Sequence, residues 1–117
     1  METWTAIQSG LNSKSVQERT NFLPKHLVHI LELATKLNLK LKKVWLYGSR
    51  ARGDARENSD FDLAFLVGEN KNWSEFKLLI HDDPPAVFKY DLVSYEECDK
   101  ALRQSIDNEG LVIYESK

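Results

Sequence analysis

Apolar residues recur along the first half of the chain with the period of a helix. Between Pro24 and Leu37 they return every three or four positions, and this spacing predicts an amphipathic helix with one buried face. Asn21 is a candidate cap for this helix, and Pro24 fits its first turn. Residues 1–22 combine a short amphipathic turn with a polar run, a pattern that predicts no single structure for this segment.

Three later stretches have the composition of strands. Residues 43–48 (KVWLYG) are aromatic and β-branched and end at glycine, and residues 86–93 follow a Pro84-Pro85 turn and carry Asp91. Residues 60–67 (DFDLAFLV) alternate with the period of two that places successive side chains on opposite faces. The two predicted faces are Phe61, Leu63, Phe65 and Val67 on one side and Asp60, Asp62, Ala64 and Leu66 on the other.

Three elements complete the predicted order. Residues 72–80 (NWSEFKLLI) favour a short helix. Ser94 and Glu97 match a capping box, which predicts a helix that runs toward Asn108 or Glu109 and stops at Gly110. LVIYE then predicts a final edge strand. The pattern therefore indicates a mixed α and β protein, and the 117 residues are expected to form one domain.

The composition and charge of the chain argue against several classes of protein. The chain has 16 Lys and Arg against 18 Asp and Glu, so there is no overall basic field, and we expect no direct nucleic-acid binding. Cys98 is the single cysteine and permits no internal disulfide. No apolar run approaches the roughly 18 residues of a membrane span, and the start lacks the features of a secretory signal. We therefore expect a cytoplasmic protein without a membrane segment.

The stretch GSRARGDARENSDFDL places acidic residues at the start of a predicted buried strand and has three simpler explanations to exclude. Gly48 and Gly53 have P-loop spacing, but Asp54 and Ala55 stand where that loop needs Lys and Ser or Thr. A calcium-binding EF-hand loop from Asp60 fails because Ala64 and Phe65 replace an oxygen ligand and glycine. The structural explanation stays open: Asp60 caps a turn and Asp62 pairs with Arg50 or Arg52.

The same stretch also contains what a metal-bound triphosphate requires. Asp60 and Asp62, two positions apart on a strand, share one face with Cα atoms roughly 6.6 Å apart, a spacing that suits a pair of magnesium ions. The Gly48-Ser49 step ends the preceding strand and lets the backbone approach a phosphate closely. Arg50 and Arg52 add positive charge nearby. Asp91 contributes a third carboxylate from a neighbouring strand.

These residues resemble the minimal nucleotidyltransferases of the DNA polymerase β superfamily, whose pattern is G-S-x-x-R-G, a short gap, S-D-x-D-L and a later aspartate. The matching residues are Gly48, Ser49, Arg52, Gly53, Ser59, Asp60, Asp62, Leu63 and Asp91. The resemblance implies an α+β fold with a mixed sheet and helices packed mainly on one face. It also implies transfer of a nucleoside monophosphate from a nucleoside triphosphate with release of pyrophosphate.

The resemblance assigns a role to each site residue. Asp60 and Asp62 would hold both Mg²⁺ ions, and Asp91 would bind the second ion and help receive the proton of the attacking hydroxyl. Ser49 and nearby amides, with Gly48, would steady the β- and γ-phosphates. Either Arg50 or Arg52 would stabilise charge on the triphosphate, and spacing leaves the choice between them open.

The resemblance also implies a partner. Proteins of this type are typically paired with a small helical HEPN protein, so we expect an antitoxin that uses ATP and Mg²⁺ to add AMP to a tyrosine of a HEPN ribonuclease toxin, within a homo- or hetero-oligomer. Two alternatives stay open: a noncatalytic module that neutralises its partner by covering it, and nucleotidyl transfer to a small molecule or an RNA end.

A few other conspicuous residues receive structural interpretations. His26 and His29 lie on the first predicted helix without accompanying ligands, and we expect them to be surface or partly buried histidines rather than zinc ligands. His81 likewise is not expected to be catalytic. Tyr47 either lines the nucleotide site or packs in the core.

Overall fold

The computed structural model describes residues 23–56 and 59–116. In chain order these ranges form α1 (Lys25–Lys36), β1 (Leu41–Tyr47), α2 (Ser49–Arg52), β2 (Phe61–Val67), α3 (Trp73–Asp82), β3 (Tyr90–Ser94), α4 (Lys100–Glu109) and β4 (Leu111–Glu115). The uncertain segment 1–22 and the candidate cap Asn21 lie outside the described residues. Within the described ranges, no helix has both the length and the apolar character needed to cross a membrane.

The four strands form one mixed sheet in the order β3-β2-β1-β4. β1 pairs antiparallel with β2 on one side and with β4 on the other, whereas β2 and β3 are parallel. The parallel pair requires a crossover, and α3 lies within that connection. The predicted α+β class with a mixed sheet is confirmed.

The side chains of β2 point alternately to the two faces of the sheet, and each face has its own apolar cluster. Phe61, Leu63 and Phe65 belong to the larger cluster, which also contains the buried residues of α1 and α3 and Ala51 of α2. Ala64 belongs to the smaller cluster on the other face, where Ile106 of α4 packs. Helices therefore cover mainly one face, and α4 alone among the described helices contributes a buried residue to the other.

Two predicted elements begin at least four residues earlier than the structure places them. The third strand begins at Tyr90 rather than at residue 86, because residues 85–88 form bends after the proline pair. Ser94 does not open a helix: it is the last residue of β3, and its carbonyl accepts hydrogen bonds from the amides of Glu97 and Cys98 in a turn. The cap of α4 is Asp99, whose carboxylate accepts from the Leu102 amide at 2.8 Å.

Candidate active site

The first component of the site is the turn that follows β1. Gly48 has φ +75°, a region that other residues rarely adopt, and its carbonyl accepts hydrogen bonds from the amides of Ala51 and Arg52 in the short α2. A Cβ atom at this position would collide with the carboxylate of Asp62. Glycine therefore lets the Gly48-Ser49 backbone lie directly against Asp62.

The second component is a row of carboxylates across two strands. Asp62 lies in β2, where its register partners are Tyr47 of β1 and Asp91 of the parallel strand β3. Asp60 comes two residues earlier, just before β2 begins. Asp62 is half-buried, whereas Asp60 and Asp91 are exposed. The fold therefore brings the three predicted aspartates to neighbouring positions on the face that carries Ala64.

The carboxylates interact with one another electrostatically. The pKa of Asp62 is raised to about 6, first by burial and then by the negative charges of Asp91 and Asp60, while the positive charge of Arg52 acts in the opposite direction. The pKa of the Tyr47 hydroxyl is also raised, by burial first and then by Asp91 and Asp62. The surroundings of Asp62 therefore destabilise its ionised form relative to a free carboxylate, and a bound cation would stabilise that form.

The two arginines of the motif take different directions. Arg50 donates from Nη2 to the carbonyl oxygen of Ser59 at 2.9 Å, and its guanidinium carbon lies 4.4 Å from the ring centroid of Phe61. Phe61 belongs to the larger apolar cluster, on the face opposite Asp62, so Arg50 packs against the strand from that side. Arg52 is exposed and pairs with Asp54 at 3.2 Å and Glu109 at 3.0 Å. The positive charge of Arg52 acts to lower the pKa of Asp62.

The carboxylate oxygens of the site are suitable ligands for magnesium, although their present arrangement does not form a complete metal site. Within residues 23–56 and 59–116, no three His, Cys, Asp or Glu side chains stand close enough together to hold a metal ion as they are arranged. The available donors are nevertheless carboxylate oxygens, the ligand type that Mg²⁺ prefers, and the mutual repulsion of Asp60, Asp62 and Asp91 is what a divalent cation would relieve.

Sequence reasoning missed several contacts around the site. The pairing of Arg52 with Glu109 joins residues 57 apart in the chain, and no local pattern signals it. His26 accepts from or donates to the hydroxyl of Tyr90 at 2.8 Å and packs edge-on against Phe61, so it supports the far side of the strands that carry the aspartates. The expectation that His26 is partly buried and structural agrees with this position.

A mixed sheet that presents aspartates on adjacent strands beside a Gly-Ser turn is the arrangement expected of a nucleotidyltransferase. The family model described as "Polymerase beta, Nucleotidyltransferase" matches residues 28–117. The protein adenylyltransferase MntA of Aphanizomenon flos-aquae is 34% identical over 100 residues, covering 73% of this chain and 63% of the relative. The chain therefore belongs to the polymerase beta nucleotidyltransferase family.

Solved structures agree with this fold. A crystal structure of a toxin-antitoxin with AMP-PNP superposes with a TM-score of 0.58 at 27% identity, covering 75% of this chain and 72% of that chain. A complex of tri-AMPylated Shewanella oneidensis HEPN toxin with MNT antitoxin shares the fold at 23% identity and a TM-score of 0.54, covering 78% and 71%. The chain spans 63% of the length of each of the two curated relatives that it matches.

Proposed function

We propose that this chain is a magnesium-dependent protein adenylyltransferase that moves AMP from ATP to a hydroxyl, most specifically a tyrosine, of a partner HEPN-type toxin and thereby acts as an antitoxin. The observation that carries the proposal is the register of Asp62 with Asp91 beside the Gly48-Ser49 turn. The similar MntA protein is named an adenylyltransferase, and a similar solved toxin-antitoxin contains AMP-PNP.

In this proposal the donor half of the site is formed by β1, α2 and β2. The Gly48-Ser49 backbone approaches the phosphates of ATP, because the turn has no side chain between its backbone and Asp62. Asp60 and Asp62 would hold Mg²⁺, which when bound would supply positive charge for the leaving pyrophosphate and lower the pKa of the attacking hydroxyl. Arg52 adds a positive charge near the triphosphate, while Arg50 supports the strand from the opposite face.

The acceptor half of the site is formed by β3. Asp91 is exposed at the register position next to Asp62, so an incoming hydroxyl can reach it from solvent. The hydroxyl oxygen bonds to the α-phosphorus, the bond from that phosphorus to the β-phosphate oxygen breaks, and pyrophosphate leaves. Asp91 would accept the proton of the hydroxyl and would help to hold the metal.

The direct test is transfer of label from α-labelled ATP to a purified HEPN-type toxin. We expect magnesium-dependent labelling that is lost in the Asp60→Asn/Asp62→Asn double variant, since this change removes charge and preserves shape. A variant that still labels the toxin at the parental rate would contradict the assignment.

Two readouts separate the alternatives: neutralisation of the toxin in cells by the double variant, and the material in which the label appears. A noncatalytic module would neutralise the toxin equally well with or without the double substitution. Transfer to a small molecule or an RNA end would place the label in low-mass or nucleic-acid material instead of protein.

A further inference from the structure

A groove lies beside Asp91 on the outer side of β3. It has a volume of about 380 Å³ and is bounded by α3 on one side and by β3 on the other. The residues that line it include Ser74, Lys77, Leu78, His81, Asp91 and Leu92. Asp91 is one of the lining residues, so the groove borders the strand position that carries the proposed proton acceptor.

The strand that forms this groove has backbone groups directed away from the sheet. The Lys89 carbonyl accepts from the Phe61 amide and the Tyr95 amide donates to the Phe65 carbonyl, both at 2.9 Å, so odd-numbered positions of this segment face β2. The alternating positions Tyr90 and Leu92 therefore direct their N–H and C=O groups outward. β3 is an edge of the sheet that the described residues form, and an edge of this kind is a template for an added strand.

We propose that this groove receives an extended segment of the acceptor protein, which pairs with the outer edge of β3 and presents its hydroxyl to Asp91. The inference rests on the proposed function and specifies how the acceptor of that reaction is bound. A polypeptide fits the edge because only a backbone offers alternating donors and acceptors at the strand spacing, a recognition mode known as β-augmentation. Asp91, the proton acceptor of the proposed reaction, is also one of the residues that line the groove.

The geometry specifies the sequence pattern of the acceptor. On an added strand, the residue directly beside Asp91 points to the same face as Asp91, whereas the residues before and after it point toward α3. The first position therefore carries the hydroxyl. The adjacent positions meet Leu78, whose side chain is 58% exposed, so an apolar residue next to the hydroxyl residue fits the groove.

Leu78 and Val87 provide a matched pair of variants. Both are large exposed apolar residues, with Val87 98% exposed, but only Leu78 lines the groove. With the full chain and a purified HEPN-type toxin, we expect Leu78→Glu to weaken toxin binding at least tenfold and to raise the KM for the toxin similarly. The affinity for ATP stays unchanged, and Val87→Glu behaves like the parent. Circular dichroism verifies that both variants are folded.

Amide hydrogen exchange tests the strand pairing itself. In the parent protein, toxin binding is expected to slow exchange at Tyr90 and Leu92, the positions whose amides face outward. Unchanged toxin affinity in Leu78→Glu together with unchanged exchange at both amides would overturn the inference. Weaker ATP binding in Leu78→Glu would also overturn the inference, because the groove would then bind the nucleotide. Protection of both amides in the free chain would overturn it as well, because the edge of β3 would then be paired with this chain's own residues.

The readouts distinguish this inference from the proposed function. Toxin binding with protection at β3 but without AMP transfer supports the docking surface and contradicts the adenylyltransferase. AMP transfer without slower amide exchange in β3, and with parental kinetics in Leu78→Glu, supports the adenylyltransferase and contradicts the docking surface. Absence of any toxin binding contradicts both.

Discussion

At the level of single residues, Arg50 and Arg52 show how two similar neighbours acquire different roles. The sequence places both next to the Gly48-Ser49 turn and leaves their directions undecided. Their directions depend on the short α2 helix, which starts from the positive φ of Gly48 and ends at Gly53 with φ +86°. Arg50 then packs over the ring of Phe61, while Arg52 remains on the exposed surface. A backbone conformation of this kind cannot be read from hydrophobic periodicity.

The two arginines therefore give a paired prediction. Arg50→Ala removes a charged donor to the Ser59 carbonyl and a cation–π contact, so we expect the free energy of unfolding to fall by about 1 to 3 kcal/mol. Arg52→Ala removes only exposed ion pairs, so we expect an unchanged unfolding temperature and a several-fold weaker affinity for ATP-magnesium. Thermal unfolding and calorimetric titration measure the two effects, and the converse result would reverse our assignment of the arginines.

His26 gives a prediction for the dependence of stability on pH. Burial, with a smaller contribution from the Arg50 charge, lowers the pKa of His26 from 6.5 to about 4. Between these values the unfolded chain binds a proton that the folded protein does not, so stability is full above pH 6.5 and falls as the pH decreases toward 4. The full shift corresponds to about 3 kcal/mol, and because the ring is partly exposed and screened by solvent, the expected loss is about 1 to 2 kcal/mol.

Denaturant unfolding at several pH values measures this loss. We expect His26→Phe, which keeps an aromatic ring next to Phe61, to lose less stability than the parent between pH 7 and pH 4.5. The exposed His29 lies on the same helix, and His29→Phe serves as the control with the parental slope. Equal slopes in the parent and His26→Phe would show that other groups cause the acid loss.

At the level of elements, the sequence predicts most of the helices and strands because burial imposes a period on each. The alternation of β2 is the clearest case: Phe61 and Ala64 lie on opposite faces, as predicted, in separate apolar clusters. The boundary of α4 could not be predicted equally well, since Ser94 and Glu97 satisfy a capping pattern that strand pairing overrides. Ser94 pairs with Phe65 in the sheet, which leaves Asp99 to begin the helix.

The correct cap of α4 can be tested by two substitutions. Asp99→Ala removes the carboxylate that accepts from the Leu102 amide, and we expect it to reduce the free energy of unfolding by about 1 kcal/mol. Glu97→Ala changes the residue that the capping-box prediction requires, and we expect almost no effect because Glu97 is exposed within a turn. Denaturant unfolding measures the free energy of unfolding of both variants. A larger decrease for Glu97→Ala than for Asp99→Ala would support the capping box predicted from the sequence.

At the level of the whole molecule, the larger apolar cluster and the candidate site lie on opposite faces of the sheet. The face that carries Phe61 and Phe65 is covered by α1 and α3, whereas the opposite face carries Asp62 and Asp91 beside the Gly48 turn. The sequence predicts which residues belong to the candidate site from their motif. It does not determine that β3 is parallel to β2 in the register that places Asp91 beside Asp62, because long-range pairing depends on the crossover through α3.

This arrangement predicts that the aspartates have different kinetic roles. Asp62 belongs to the donor half, in contact with the Gly48 turn, so Asp62→Asn is expected to weaken ATP-magnesium binding as well as transfer. Asp91 lies on the edge strand β3, and in the proposed reaction it acts on the incoming hydroxyl, an interaction that matters mainly in the transition state. Asp91→Asn is therefore expected to reduce the single-turnover transfer rate at least a hundredfold and to leave ATP affinity within about threefold of the parent.

The two variants should be compared in the same assay. Because the negative charge of Asp91 contributes to the raised pKa of Asp62, Asp91→Asn makes the ionised form of Asp62 easier to maintain, so nucleotide binding has an electrostatic reason to survive the substitution. A folded protein that binds ATP and does not transfer AMP is the expected result for Asp91→Asn. If this variant transfers AMP at the parental rate, the proton acceptor lies elsewhere, and Asp82, Asp83 and Asp99 become the carboxylates to substitute next.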